Sequence, residues 1–361
     1  ASEVLEGSLE LGDDHFAYRW SILGPTALSY YFFGINDFGS AMPALVITFL
    51  TLLMVYGATK HLSVTTTIVA QALYVLTAWS LFFSDKLMPD IFTAFACMGA
   101  FLIIFKLKQG IIKSPLIASL LVSVFILYGL LAKASIVMLV PVMAVLMVLD
   151  LRKGQNRSFW TMACAILLVA TICYLYLLYS ITGEPMSRVN AIDASNFHEM
   201  SSFEDRPFLD LIKRLTVGLP LKFSEEVFGV SMFLSASLLL SLHRPLELCI
   251  EKVASFFTVV LLLSFLAANF MTTSSAAYVP MLGECRHFLF LVPIAAIVAA
   301  PVICGFFLHA TNKREVLLVA VGAAVLSFFT GNSISIYTHL SILIIVAVRC
   351  FLPSNAKLIL K

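Results

Sequence analysis

Charge is what this sequence has least of. Only 12% of its 361 residues are Asp, Glu, Lys or Arg, about half of the roughly 25% carried by a soluble domain. With 60% apolar residues and a mean hydropathy of +0.98, there is too little polar surface to clothe a body folded in water. The same numbers exclude disorder, which requires low hydrophobicity and high charge. A dispersed net charge of +2 leaves no footprint for nucleic acid, and none is expected as a partner. Cysteine is sparse as well. The seven cysteines include no Cys-x-x-Cys pair and no His/Cys spacing suited to zinc. Six of them (Cys97, Cys164, Cys173, Cys249, Cys304 and Cys350) lie in or beside apolar runs and read as small buried hydrophobes. What remains is a succession of long apolar runs, which makes the chain a polytopic membrane protein.

A helix needs roughly 20 mostly apolar residues to cross a hydrocarbon core, and its backbone must be satisfied within the segment. The sequence therefore predicts an all-α transmembrane bundle of about eleven spans near 41–59, 63–84, 88–105, 115–132, 134–150, 158–181, 226–242, 252–270, 287–308, 315–330 and 334–351. The apolar run on either side of Lys133 is interrupted only by Lys133 and Ser135. Alternate short loops collect the cations: Lys60; Lys106, Lys108 and Lys113; Arg152, Lys153 and Arg157; Arg244 and Lys252; Lys313 and Arg314. The other set has only Lys86, Lys133 and Arg286. The first set is thus expected on the cytoplasmic side, in a plasma or inner membrane. This orientation puts residues 1–40 and the long polar segment 182–225 together on the outer face. Four segments follow: an outer acidic segment 1–40, spans within 41–181, the outer loop 182–225 and spans within 226–361. An outer N-terminus with no preceding apolar run leads us to expect a further helix upstream of Ala1. Within the outer loop, Pro207–Leu219 repeats apolar residues at helical intervals around Lys213 and Arg214, as an amphipathic helix in the interface plane would.

Burying an ionisable group in lipid costs several kcal/mol, so those at the outer span ends stand out. They are Asp13 and Asp14, Arg19, the turn holding Asp85, Lys86 and Asp90, Lys133, and the turn holding Glu284, Arg286 and His287. Each has a plain structural reading. Asp90 follows Pro89 at a helix start, where a carboxylate suits the helix dipole, and Lys133 can snorkel to an interface. Asp13 and Asp14 read equally as surface acids, and Arg286 with His287 as a loop end. Together they describe one outward-facing polar surface. A carboxylate there can act as general base, Lys and Arg can bind a phosphate, and a groove between helices can hold a lipid tail. That is the equipment for group transfer from a lipid-phosphate donor. A secondary transporter or lipid flippase, and a polymerase or ligase of lipid-linked glycans, are the other readings. Transporters place ionisable residues near the midplane of two related halves, whereas here the acids sit at span ends and the halves lack evident symmetry.

Several stretches resemble the GT-C glycosyltransferases, in particular their polyprenyl-phosphate-dependent branch of protein O-mannosyltransferases and lipid A aminoarabinose transferases. GDDHFAYR before ILGPTALSYYFFGINDF is similar to the acidic first outer loop, and SLFFSDKLMPDIFTAF to a second outer turn where an Asp opens a span. YGLLAKASIVMLVP, TGEPMSR and CRHFLFLVPIAAIVAA follow in the family's order, over about residues 12–300. The resemblance implies a bundle with interfacial helices in its outer loops, one of them at 16–33, broken by Gly24 and Pro25. It also implies a catalytic base at Asp13 or Asp14, since the family's usual Asp-Glu pair is Asp-Asp here. Asp90 becomes the second acid, and Lys133, Arg286 and Lys86 become contacts to the donor phosphate. Arg19, Arg188, Glu284 and His287 become candidates for the acceptor or outer-loop face. The implied partners are a polyprenyl-phosphate-linked sugar and a protein, lipid or polysaccharide acceptor. Metal dependence stays open: Asp13 and Asp14 with Glu284 or His287 are ligand types for a divalent ion, but no spacing selects one.

Overall fold

A computed structural model describes residues 1–7, 11, 15–193, 203, 206–226, 228–241, 248–272, 278–309 and 312–351. These residues are overwhelmingly helical, and their only extended pairing is an isolated bridge between Thr272 and Pro280. The helices are α1 (Ser2–Glu6), α2 (Trp20–Phe33), α3 (Asp37–Thr59), α4 (Val64–Leu76), α5 (Ala78–Phe83), α6 (Pro89–Lys108), α7 (Pro115–Ala132), α8 (Leu139–Arg152), α9 (Arg157–Thr182) and α10 (Ser187–Asp193). They continue as α11 (Phe208–Lys213), α12 (Leu219–Glu225), α13 (Val230–Ser241), α14 (Leu248–Phe270), α15 (Val292–His309), α16 (Lys313–Thr330) and α17 (Ser333–Phe351). Among the described residues, eight stretches are long and apolar enough to cross a membrane, as a multi-pass integral membrane protein requires.

Those eight coincide with eight of the expected spans. The segment 63–84 instead divides at Thr77, whose backbone turns extended and whose Oγ1 donates to Leu73 O at 2.7 Å, drawing on a carbonyl of the last turn. The segment 226–242 yields the 12-residue α13, and 315–330 yields α16, which carries Lys313, Arg314 and Glu315 in its first turn. Residues 16–33 also differ from expectation. A 3₁₀ turn over His15–Tyr18 precedes α2, which runs unbroken through Gly24 and Pro25. Pro25 forfeits one bond, to Ser21 O, and the turns on either side hold. At roughly 21 Å, α2 is too short to cross a hydrocarbon core. The amphipathic stretch expected at 207–219 is helical from Phe208 to Glu225, with a wider π-type turn at Arg214–Gly218.

The chain forms two compact units. The first comprises Ala1–Met54, Phe82–Phe208 and Leu263–Leu282, and the second Val55–Leu81, Leu209–Leu262 and Gly283–Lys361. In the first unit α6 is the central helix and is enclosed by protein along most of its length. Small residues let α7 approach it: Gly99 faces Phe125, and Gly129 faces Ala96. Ser119 Oγ on α7 then bonds Phe159 O on α9 at 2.9 Å. α9 is exposed along most of its surface, which corrects the expectation for Cys164 and Cys173: both are exposed, while Cys97 and Cys304 are buried. The side chain of Cys249 lies outside the described set. In the second unit α15 is the central helix. Its buried Ala295, Ala296, Ala299 and Ala300 admit close neighbours, and Ser235 on α13 donates to Ala295 O at 3.0 Å.

The α6–α7 contact yields a prediction. A methyl group at Gly129 would sit 2.8 Å from Ala96 Cβ, which the packed pair cannot accommodate without shifting. Gly129→Ala should lower the unfolding free energy by about 1–3 kcal/mol, read by thermal or detergent-induced unfolding of the purified protein.

Candidate functional site

The first unit assembles its polar site at one end of α6 and α7. Pro89 opens α6, and Asp90 follows in its first turn, where free N–H groups and the helix dipole favour a carboxylate. Lys133 ends α7. Its backbone is extended for that single residue (φ −154, ψ 130) before a 3₁₀ turn over Ala134–Met138 leads into α8. The break in the apolar run is therefore a break in the helix, and it turns the lysine back across the bundle. Nζ of Lys133 lies 2.5 Å from Oδ1 of Asp90, with 17% and 5% of the two side chains exposed. Desolvation costs several kcal/mol per ion, and the contact between the two charges offsets part of it.

Arg188, on α10, reaches the same end of α7. It is buried, and its guanidinium donates to Leu130 O at 2.7 Å and to Tyr174 Oη at 3.3 Å. Both partners are neutral. Leu130 and Tyr174 also line an apolar groove of about 260 Å³ among α2, α7 and α9, together with Trp20, Leu127, Leu131 and Leu177. Trp20 meets Tyr174 edge to face at 5.8 Å. The groove is thus apolar along its walls, with a buried cation where α10 bonds them.

Of the two segments expected to lie together, 1–40 and 182–225, the first meets the start of the second within the first unit. Tyr18, Leu178 and Ala191 form a buried cluster against which Leu11, Trp20 and Tyr174 pack. Asp13 and Asp14 lie outside the described residues. Arg19 stacks 4.3 Å from the ring centroid of Phe16, and Lys86 lies 3.2 Å over the Phe82 ring while donating to Phe82 O at 2.8 Å. Both cations thus rest on aromatic residues a few positions upstream.

Glu284, Arg286 and His287 belong to the second unit. Glu284 begins the 3₁₀ turn Cys285–Leu291 that feeds α15, and its Oε2 lies 2.6 Å from Arg286 Nε and 3.9 Å from His287 Nε2. In the same unit Lys222 on α12 pairs with Glu226 at 2.7 Å and Glu225 at 3.1 Å. The hydrogen bond that Lys222 donates to Glu226 pushes its ammonium above the ordinary pKa, against a weaker opposing effect of burial. Cys285 Sγ lies 3.9 Å from Lys222 O, which ties this helix to the Glu284–His287 turn. No group of three or more His, Cys, Asp or Glu side chains among the described residues could hold a metal ion.

Two charge clusters escaped the sequence reading. Lys222 and Glu225 lay at the end of the outer loop 182–225, and Glu226 at the start of the expected span 226–242. Asp150 is buried at the C-terminal end of α8, where it pairs with Lys108 and accepts from Trp160 Nε1 at 3.0 Å and Asn156 Nδ2 at 3.1 Å. A lone acid ending an apolar run, two spans after a lysine ending another, was the available signal for that pairing.

Removing the Arg188 guanidinium leaves Leu130 O without its bond and frees α10 from α7. Arg188→Met should cost about 1–3 kcal/mol and speed proteolytic cleavage within 183–193, whereas Tyr174→Phe, which loses only the longer bond, should cost less. Unfolding curves and limited proteolysis of the two variants check both statements.

No family model, no curated protein and no solved structure matches this chain, so a functional reading must come from its own residues.

Proposed function

We propose that the protein is an integral membrane glycosyltransferase of GT-C type. It moves one sugar from a polyprenyl-phosphate donor to an acceptor on the non-cytoplasmic face of a plasma or inner membrane. The observation that carries this reading is the grouping, at one end of α7, of the buried Asp90–Lys133 pair, the buried Arg188 and the apolar groove. A polyprenyl phosphate presents the same sequence of properties, with a long apolar tail, a compact anion and then the sugar. The groove walls suit the tail, and Arg188, held by neutral oxygens, keeps its positive charge available for the anion.

In this mechanism Asp13 or Asp14 takes the proton from the acceptor hydroxyl or amine. The freed lone pair attacks the anomeric carbon while its bond to the phosphate oxygen breaks, and polyprenyl phosphate departs with both electrons of that bond. A single in-line displacement inverts the anomeric centre. Lys133 and Arg188 supply positive charge for the leaving phosphate, since a carboxylate alone cannot stabilise it, and the resemblance to GT-C enzymes offers Arg286 as a phosphate contact. Asp90 holds Lys133 in place and orients the acceptor.

Two measurements test the reading. With a labelled lipid-linked sugar and membranes holding the protein, Asp13→Asn and Asp14→Asn should between them reveal a fall of roughly 10²–10⁴ in rate at the residue that is the base. Near-normal turnover in both variants overturns the assignment, and vesicle uptake without any covalent product selects a transporter instead. Ala170→Leu, which fills the groove, should weaken a long-chain donor about 10-fold through lost apolar burial, while leaving a short-chain analogue unchanged.

A further inference from the structure

We infer that Glu284 is an internal stand-in for the donor's phosphate, occupying Arg286 and His287 until a true phosphate displaces it. This rests on the reading above that Arg286 receives the donor phosphate. The geometry is that of one carboxylate oxygen shared between two nitrogen groups, 2.6 Å from Arg286 Nε and 3.9 Å from His287 Nε2. Such a placement is the one an anionic oxygen of a phosphate monoester or diester would take.

Three features make the carboxylate displaceable. First, Glu284 is the outermost member of the group, with 47% of its side chain exposed against 28% for Arg286 and 12% for His287. It can rotate into water without disturbing the buried packing behind it. Second, the side chain begins the Cys285–Leu291 turn yet makes no capping hydrogen bond to the backbone there. Its position is set by the cations and not by the fold. Third, the contact with Arg286 is close but not directed, since Nε makes no hydrogen bond among the described residues. A phosphate offers more charge and several oxygens that can meet the planar guanidinium along two bonds. The Lys222 pairs contrast with this arrangement, because both partners lie three and four residues along the same stretch of chain and turn with it.

Two consequences follow. In the resting protein Glu284 keeps the Arg286 guanidinium neutralised beside an apolar interior, where an unpaired charge is costly. It also sets a threshold: a neutral lipid cannot displace it, whereas a lipid phosphate can. The apparent affinity for a lipid phosphate is lowered by the fraction of molecules in which the carboxylate occupies the site.

The experiment uses the full chain in lipid nanodiscs and two probes, farnesyl phosphate and the uncharged farnesol, with dissociation constants measured by calorimetry. Glu284→Gln should bind farnesyl phosphate about 5- to 10-fold more tightly, with farnesol unchanged. Glu284→Asp, one methylene shorter and still charged, should move the same way by a smaller factor and guards against a folding defect in the first variant. Arg286→Gln should weaken farnesyl phosphate at least 10-fold, and adding Glu284→Gln to it should restore nothing. If Arg286→Gln leaves binding unchanged, the phosphate role of Arg286 fails and this inference falls with it. If Arg286→Gln weakens binding but both Glu284 variants bind no more tightly than the parent, the stand-in role alone is overturned. Equal tightening of farnesol would likewise overturn it.

Discussion

An ionised group surrounded by hydrocarbon must find a counter-charge, and the first unit is organised by that requirement. Two ion pairs lie at opposite ends of α6: Asp90 with Lys133 at its start and Lys108 with Asp150 at its finish. The 18 positions between Asp90 and Lys108 correspond to roughly 27 Å of helix, close to the thickness of a hydrocarbon core. Each pair joins α6 to a different neighbour, α7 at one end and α8 at the other. Asp150 also accepts from Asn156 and Trp160 at the start of α9. A register slip of one turn in α6 would separate both pairs at once. Apolar faces alone would not impose such a penalty, because lipid tails replace apolar neighbours at little cost. The charges therefore fix which turn meets which, and the small residues at Gly99 and Gly129 fix how closely.

Much of this was legible in the sequence because hydrocarbon constrains sequence so tightly. Eight apolar runs gave eight helices, and Lys133 was already visible as an interruption between two of them. The alternation of loops holds in the first unit, since Lys108 meets Asp150 beyond one end of α6 while Lys133 meets Asp90 at the other. The meeting of the N-terminal segment with the start of the outer loop is also borne out, through Tyr18, Leu178 and Ala191. The failures have a common physical source. Apolar content cannot say where a helix will break when a threonine hydroxyl takes a carbonyl from the last turn, as at Thr77. Nor can it separate burial against protein from exposure to lipid, and so Cys164 and Cys173 were misplaced on a helix that faces mostly outward.

The site was less legible than the fold, for a reason that Lys133 and Arg188 illustrate. Lys133 stood out because its surroundings in sequence are apolar. Arg188 sits among other polar residues of the outer loop, and nothing local marks it as buried. Its role comes from Leu130 O and Tyr174 Oη, 58 and 14 positions away. A polar residue in a polar segment acquires meaning only from tertiary contacts, and the same holds for Lys222 and its glutamates. Conversely, Lys86 and Arg19 stood out by charge, yet their observed partners include the rings of Phe82 and Phe16 nearby in sequence.

The Asp90–Lys133 pair has one more implication for the proposed reaction. While the two remain 2.5 Å apart, the pair is electrically neutral from a distance and offers little attraction to an incoming phosphate. In the proposed reaction, a donor phosphate that drew Lys133 toward itself would loosen its hold on Asp90, a carboxylate only 5% exposed, and raise that carboxylate's demand for hydrogen-bond donors. The hydroxyl or amine of an acceptor is such a donor. Binding of donor phosphate would then create the demand that acceptor binding satisfies, coupling the two substrates through one shared lysine. Arg188 differs because its partners are a carbonyl and a phenol. It can bind an anion without unpairing a carboxylate, and is therefore suited to first capture, while the lysine is suited to linking donor and acceptor. In the proposed reaction the donor would then bind before the acceptor, because only one of the two cations already has a buried counter-charge.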